Sequence, residues 1–212
     1  MEFDYQKITA PNFVKKIDKT GKDLLDFVGW NFAHETGILI DDEKDIMPWY
    51  NYTVVKFLKS RLAKNMSVFE YGSGFSTIFY AKRVNSLISV EVLPDCISWV
   101  QNACSQLGIS GNEIHLKTDD QFASSILEFD KLFDLIIVDS VKRNECVMQA
   151  VSKLSPSGIV ILDNSERENY RKSFDFMKNS GFSELTLTGI KPLSTKLSST
   201  TFFYKSGNCF GI

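Results

Sequence analysis

Two acidic residues flank a short glycine loop in the first half of the chain. An apolar run ends in Glu70 and is followed by a loop that contains Gly72 and Gly74, and the next apolar run ends in Glu91. A glycine loop after one strand, with an acid at the end of the next strand, is typical of a nucleotide-type cofactor site. The acid in front of the glycines favours a cationic ligand, because a carboxylate repels a pyrophosphate and attracts a positive charge.

The expected positive charge points to S-adenosylmethionine (SAM), whose methionine end is cationic. Thr77 stands where the dinucleotide-binding motif has its third glycine, which allows close packing of helix on strand, so the sequence disfavours NAD. Glu91 is expected to bind the ribose hydroxyls and Asp119 the adenine amino group. The alternative is a tight strand–helix turn with both acids solvated. The predicted SAM-binding residues are Glu70, Gly72, Ser73, Gly74, Ser76, Thr77, Glu91, Asp119 and Asp139.

A regular alternation of strands and helices must position these residues. It predicts a doubly wound, Rossmann-like α/β fold with a mostly parallel seven-stranded sheet. Two strands at 183–188 and 200–204, joined only by a loop, predict an antiparallel strand at the C-terminus. The runs that predict the first five strands are 67–71, 87–92, 113–116, 133–138 and 158–162. The helical stretches lie near 76–84, 94–107, 120–129, 142–154 and 166–180.

The first part of the chain carries no strong strand signal. We therefore divide the chain into an N-terminal helical or irregular extension, 1–48, and a SAM-binding methyltransferase-type domain, 49–212. Residues 23–32 have the pattern of an amphipathic helix. A second helical pattern begins at Pro48, a residue type that fits the first turn of a helix.

Charge and hydropathy limit the expected partners. The formal net charge is −2, so nothing in the composition indicates a basic surface for nucleic acid. No apolar stretch approaches the roughly 20 residues that span a bilayer, and the first residues do not resemble a signal peptide. We expect a cytoplasmic protein that binds neither nucleic acid nor membrane, and we leave a homodimer open.

A second group of polar residues follows the fourth and fifth predicted strands. The fourth strand ends in Asp139 and the fifth in Asp163 and Asn164, so adjacent parallel strands would bring the three together. Carboxylate and amide oxygens suit Mg²⁺, which would also relieve the repulsion between the carboxylates. The alternative is a helix N-cap, with Ser165 and Glu166 continuing the capping pattern.

The chain resembles the class I SAM-dependent methyltransferases, and its second polar group resembles the metal-dependent catechol O-methyltransferase type. Those enzymes bind metal through an Asp after the fourth strand and an Asp-Asn pair after the fifth. Their catalytic lysine lies three residues beyond the first Asp. The resemblance implies Asp139, Asp163 and Asn164 as metal ligands, with Lys142 as the general base beside Asp139 in the catalytic site. A lysine can act so only if its pKa is lowered.

A closer resemblance is to a group of small bacterial methyltransferase-like proteins. Their motifs are Glu-Tyr-Gly-Ser-Gly-x-Ser-Thr, Asp-x-x-x-Arg and Asp-Asn-Ser, often with Pro-Trp upstream. The resemblance covers about residues 45–205 and implies the same fold and the same cofactor. The matching positions in this chain are 70–77, Asp139 with Arg143, 163–165 and Pro48-Trp49.

Aromatic and basic residues are the expected contacts of the methyl acceptor. Trp49 and Tyr52 precede the first strand, where such enzymes often carry a segment over the acceptor, although either could pack the helix onto the sheet. Either Arg143 or Lys142 could bind an anionic group of the substrate. Lys191 and Lys196, in the loop 189–199, are expected at the same edge. We predict methyl transfer to a hydroxyl of a small molecule or glycan precursor. The alternative is a SAM-fold protein that binds a ligand without methyl transfer, in a regulatory or assembly role.

Overall fold

The computed structural model describes residues 24–212 and is built on one seven-stranded sheet. The strands are β1 Ser67–Tyr71, β2 Ser86–Glu91, β3 Asn112–Leu116, β4 Phe133–Val138, β5 Leu154–Asp163, β6 Ser183–Ile190 and β7 Leu197–Tyr204. Their order is β3-β2-β1-β4-β5-β7-β6, and β7 is antiparallel to both of its neighbours while the other pairs are parallel. The predicted fold class is confirmed.

Helices cover both faces of this sheet. They are α1 Trp30–Thr36, α2 Tyr52–Arg61, α3 Phe75–Ala81, α4 Pro94–Gln106, α5 Asp119–Phe122, α6 Arg143–Ala150 and α7 Arg171–Asn179. Short 3₁₀ turns lie at Ser125–Glu128, Val151–Lys153 and Glu168–Tyr170. One core packs α2 and α3 against the sheet, and a second packs α6 and α7 against the opposite face.

The central strand β4 shows why the sheet is buried on both faces. Leu135 and Ile137 belong to the core under α2 and α3, whereas Ile136 and Val138 belong to the opposite core. Successive side chains of a strand point to opposite faces, so a strand covered on both sides must be apolar throughout. The nearly continuous apolar run of β4 meets this requirement.

The strand register brings the two polar groups to one edge. Tyr71 pairs with Val90 of β2 and with Val138 of β4, so these three strands end at the same level. Val138 in turn pairs with Leu162 of β5. The loops after β1, β4 and β5 therefore meet at the carboxyl edge, where the connections from β1 switch direction and where open α/β sheets bind ligands.

Several boundaries differ from the sequence-based expectation. The helix expected from Pro48 begins at Tyr52, because the Asn51 side chain caps it by accepting the Val54 N–H at 3.0 Å. Asn51 also donates to backbone carbonyls of both C-terminal strands, at 3.1 and 3.0 Å. The strand expected at 158–162 already begins at Leu154.

The N-terminal prediction is only partly covered by the structure. Residues 1–23 of the proposed extension lie outside the described residues, and the expected helix over 23–32 is interrupted at Gly29, whose φ is 84°. The division at residue 48 stays a prediction. From Leu24 to the end of the chain, no helix is both long and apolar enough to cross a membrane.

Candidate cofactor and acceptor site

The glycine loop is held between β2 and β4. The Gly72 N–H donates to the Val90 carbonyl at 2.8 Å. Its φ of +109° lies in the region that favours glycine, and a Cβ at this position would lie 2.8 Å from the backbone carbonyl oxygen of Asp139. Gly72 is thus required both by its conformation and by its contact with the turn after β4. Gly74 has no atom within 4 Å of such a Cβ.

Glu70 lies beneath the loop and is 1% exposed. Its carboxylate accepts hydrogen bonds from the hydroxyls of Ser76 (2.5 Å), Thr77 (2.7 Å) and Ser89 (2.7 Å). Burial raises the pKa of Glu70 to about 7, although the three hydroxyls oppose this rise. The three hydroxyls hold the Glu70 carboxyl in place, and its role in binding SAM stays a prediction.

Glu91, at the end of β2, ties its own strand to the glycine loop. One carboxylate oxygen accepts from the backbone N–H and the hydroxyl of Ser73, at 2.9 and 3.1 Å. The other accepts from the N–H groups of Val92 (2.7 Å) and Leu93 (3.1 Å). A carboxylate offers about four acceptor positions, so a ribose here would have to share Glu91 with the Ser73 hydroxyl.

A cavity of about 540 Å³ opens beside the loop, at the carboxyl ends of β1, β4 and β5. Its lining residues come from the glycine loop, the turns after β4 and β5, the loop between β6 and β7, and the segment around Trp49. The charged residues that line it are Asp139, Arg143, Asp163, Arg167 and Lys191. Two separate sequence motifs, the glycine loop and the acids after β4 and β5, thus share one cavity.

The cation between the ends of β4 and β5 is the guanidinium of Arg143. Its Nη2 lies 2.8 Å from Oδ1 of Asp139, and its Nη1 donates to the Asp163 carbonyl at 2.5 Å and to Asn164 Oδ1 at 3.4 Å. The Nε group donates to the Ser140 carbonyl at 2.8 Å. Arg143 is 9% exposed, so its charge is neutralised within the protein.

The contacts of Arg143 bear directly on the predicted metal ligands. Asp139, Asp163 and Asn164 do come together as the sequence indicated, but the guanidinium contacts all three residues. Nowhere within 24–212 do three or more His, Cys, Asp or Glu side chains form a group that could hold a metal ion. The residues therefore do not fit Mg²⁺, and no step of the chemistry below uses a metal.

The two carboxyls beside Arg143 differ in their surroundings. Asp163 is 1% exposed and accepts the Thr200 hydroxyl at 2.5 Å. Burial and the neighbouring Asp139 charge raise the pKa of Asp163 to about 7. Burial also raises the pKa of Asp139, whereas the Arg143 charge opposes it. The Oδ1 atom of Asp139 is paired with Arg143, which leaves Oδ2 for another partner.

Lys142, the predicted base, faces away from the cavity. Its backbone is in the left-handed region, with φ of 48°, and its Nζ lies 2.7 Å from Oδ2 of Asp119. The hydrogen bond to Asp119 raises the pKa of Lys142, whereas a general base needs a lowered one. Asp119 is mostly exposed and engaged by this lysine. The roles given to both residues stay predictions, and these contacts do not support them.

The predicted acceptor contacts separate in the structure. Trp49 lines the cavity and is half exposed, and its Nε1 donates to the Pro192 carbonyl at 2.7 Å. Tyr52, at the start of α2, packs against the core beneath α2 and α3 instead. Arg167 also lines the cavity, and no motif in the sequence singled it out. It lies four residues after β5 ends at Asp163, and this position close to the carboxyl edge is the signal that could have identified it from the sequence.

Comparison with known proteins rests on three-dimensional structure alone. No family model matches the sequence, and no curated protein is significantly similar to it. A precorrin-6y C5,15-methyltransferase from Geobacter metallireducens superposes with a TM-score of 0.61 and 14% identity, covering 72% of this chain and 87% of that one. An rRNA methylase from Streptococcus thermophilus gives 0.53 and 14%, covering 70% and 92%.

A third structure contains a bound ligand of its own. It is a Streptococcus mutans protein in complex with S-adenosylhomocysteine (SAH), and it superposes with a TM-score of 0.55 and 13% identity, covering 75% of this chain and all of that one. Identities this low establish the fold and leave the acceptor open, since an rRNA methylase and a precorrin methyltransferase are both among the matches. The chain has the fold of the class I SAM-dependent methyltransferases.

Proposed function

We propose that the protein is a SAM-dependent methyltransferase that methylates a hydroxyl of a small molecule or glycan precursor. The observation that carries the proposal is the shared cavity, in which the glycine loop adjoins Asp139 and Asp163. A cofactor seated against the loop would place its methionine end beside these acids. This is the relative position that a donor and a proton-accepting group need for in-line transfer.

Electrostatics support a cationic ligand at this place. Three buried or half-buried carboxyls, those of Glu70, Asp139 and Asp163, lie at the ends of adjacent strands and are accompanied by the paired Arg143. Burial without enough positive charge raises the pKa of each of these carboxyls. A bound sulfonium and ammonium would supply the missing positive charge, and the ionised carboxylates would stabilise it in return.

The side chains of this protein would align the acceptor and remove its proton. SAM, when bound, supplies an electrophilic methyl group. Asp139 offers Oδ2 to the acceptor hydroxyl, because Oδ1 is held by Arg143. The acceptor oxygen would bond to the methyl carbon as the bond from that carbon to the sulfonium sulfur breaks and leaves SAH, and the acceptor proton would pass to Asp139 Oδ2. Most of the rate comes from alignment, and Arg143 contributes by fixing the orientation of Asp139.

One observation favours the second candidate, a SAM-binding protein without methyl transfer. Lys142, the residue that the resemblance makes catalytic, contacts Asp119 and lies outside the cavity lining. A protein that kept the fold and the cofactor but lost this base would bind SAM without turnover.

A transfer assay with labelled SAM separates the two candidates. Hydroxylated sugars and phenols are offered as acceptors to the wild type, to Asp139→Asn and to Asp120→Asn. Asp120 is fully exposed and serves as the matched control. We expect transfer by the wild type and the control, and a loss of roughly 10²-fold or more in Asp139→Asn with SAH binding retained. SAH binding with no transfer to any acceptor class would favour the binding protein.

A further inference from the structure

Two basic side chains at the cavity have no counter-ion among residues 24–212. Arg167 and Lys191 both line it, and neither forms an ion pair with any carboxylate of the described chain. They come from different segments, Arg167 from the turn after β5 and Lys191 from the loop between β6 and β7. Convergence of two such side chains on one cavity calls for a specific explanation.

Lys191 is placed by an aromatic contact. Its Nζ lies 4.9 Å from the centroid of the Trp49 ring, and the Trp49 indole is held by its hydrogen bond to the Pro192 carbonyl. The ammonium group and the indole are therefore positioned by the same loop. Leu39 and Leu193 add apolar surface to this part of the cavity. A cation beside a half-exposed ring and aliphatic side chains suits a ligand with a ring and an anionic group.

The other charges of the cavity do not neutralise this pair. Asp139 is paired with Arg143, and Asp163 is buried with its carboxyl bonded to Thr200. Lys191 does act on both of these acids through space, lowering the pKa of each. Nearby Glu166 is engaged elsewhere, since its carboxylate accepts the Ser199 N–H at 2.8 Å. The exposed side of the cavity thus carries more positive than negative charge.

We propose that the methyl acceptor carries a carboxylate or phosphate group, which Arg167 and Lys191 bind while Trp49 packs against its ring. This inference rests on the proposed function and names the substrate class of the same site. The anionic group anchors the acceptor at the exposed side, and its hydroxyl reaches Asp139 at the strand ends. Neutral sugars and phenols of the same size would lack the anchor.

A rival occupant for the two cations is the carboxylate of the cofactor itself. Both ligands would place an anion in the cavity, so acceptor binding alone does not discriminate between them. The affinity for SAH does, because SAH carries the cofactor carboxylate and no acceptor.

The test therefore has two titrations. The first titrates SAH into the wild type, Arg167→Gln, Lys191→Gln and two controls, Arg171→Gln and Lys196→Gln. Lys196 lies in the same loop as Lys191 but does not line the cavity, and Arg171 lines only neighbouring cavities. The second measures binding of D-glucuronate, D-glucose 6-phosphate and D-glucose to the same proteins, with and without SAH.

We expect unchanged SAH affinity in all variants and binding of at least one anionic sugar in clear preference to glucose. Arg167→Gln and Lys191→Gln should each weaken the anionic sugar roughly tenfold, the value of one charge-assisted hydrogen bond, and the two controls should not. Comparison of the affinities for glucuronate and glucose 6-phosphate shows whether a carboxylate or a phosphate group is preferred.

Three results would overturn the inference. Weaker SAH binding in Arg167→Gln or Lys191→Gln would assign the cations to the cofactor. Equal binding of glucose and the anionic sugars, or no binding of either anionic sugar to the folded protein, would remove the anionic acceptor. Failure of the wild type to bind SAH is a separate result, which contradicts the proposed function instead.

Discussion

The acidic side chains in the two halves of the sheet's carboxyl edge have different surroundings. On the β1–β2 side, Glu70 and Glu91 have their oxygens engaged by hydroxyls and backbone N–H groups. On the β4–β5 side, Asp139 and Asp163 border an open cavity and share one guanidinium. The protein itself thus engages the acids of the first half, whereas the acids of the second half line the cavity. For this reason we propose that the chemistry takes place in the second half.

Arg143 should be the most costly side chain to remove on the β4–β5 side. Arg143→Met would leave Asp139 half-buried without its partner, and breaking such a pair typically costs about 3–5 kcal/mol of unfolding free energy. Denaturant unfolding measures the loss. Adding Asp139→Asn to Arg143→Met should restore part of it, whereas Arg171→Met, at an exposed position, should change little. A loss below about 1 kcal/mol would show that the pair is not a structural unit.

Glu70 should make the β1–β2 side sensitive to pH. The unfolded chain releases this proton near pH 4.5, whereas the folded protein keeps it to about pH 7. The folded state binds more protons in that window, so the contribution of Glu70 to stability falls as pH rises from 4.5 to about 7 and does not change further above it. The shift corresponds to about 3 kcal/mol.

Glu70→Gln should remove this part of the slope. Urea unfolding at a series of pH values compares the variant with the wild type and with Glu184→Gln, an exposed residue of β6. The control should follow the wild type. Identical slopes for the wild type and Glu70→Gln would contradict the raised pKa of Glu70 in the folded state.

The glycine loop joins the two halves at Gly72. Gly72→Ala should lower the unfolding free energy by roughly 2–3 kcal/mol, because alanine disfavours φ of +109° and its Cβ would meet the Asp139 carbonyl at 2.8 Å. Gly74→Ala is the matched control, since nothing lies within 4 Å of its Cβ position. Thermal unfolding of both proteins decides the matter, and equal losses would argue against a special role for Gly72.

Substitution of Lys142 should have the smallest effect of these changes, and the quantity affected is kcat. Lys142→Ala should change kcat by about twofold at most, whereas loss of a true general base costs roughly 10²–10⁴-fold. The transfer assay with the acceptor found in the screen measures kcat, and EDTA should leave it unchanged. A large loss in Lys142→Ala would return the catalytic role to this residue and require the turn at 139–142 to rearrange.

The difference between the halves also explains what the sequence could predict. Glu70, Gly72 and Glu91 carry information in their spacing, because strand and loop lengths place them directly at the carboxyl edge. The meeting of Asp139 with Asp163 followed equally from strand order. The direction of a long side chain did not, since Arg143 and Lys142 are neighbours in sequence but Arg143 contacts Asp139 and Lys142 contacts Asp119.

The parts of the site that the sequence did not predict depend on contacts between residues far apart in the chain. Trp49 and Lys191 meet because the loop after β6 folds back over the cavity, and their separation in sequence hides this. Arg167 lies in the turn after β5 and lacks a motif. Ser89 and Thr200 donate hydrogen bonds to Glu70 and Asp163, and these contacts could not be predicted because they depend on the strand register.

We propose above all that the glycine loop and Glu91 bind SAM. Calorimetric titration with SAH tests this binding most directly. We predict one SAH bound per chain, no competition by NAD, and roughly tenfold weaker binding in Glu91→Gln, whose side chain loses a charged acceptor for the ribose. Folding of the variant is checked by thermal unfolding. A folded wild-type protein that binds neither SAH nor SAM, or that binds SAH equally well after Glu91→Gln, would contradict the account.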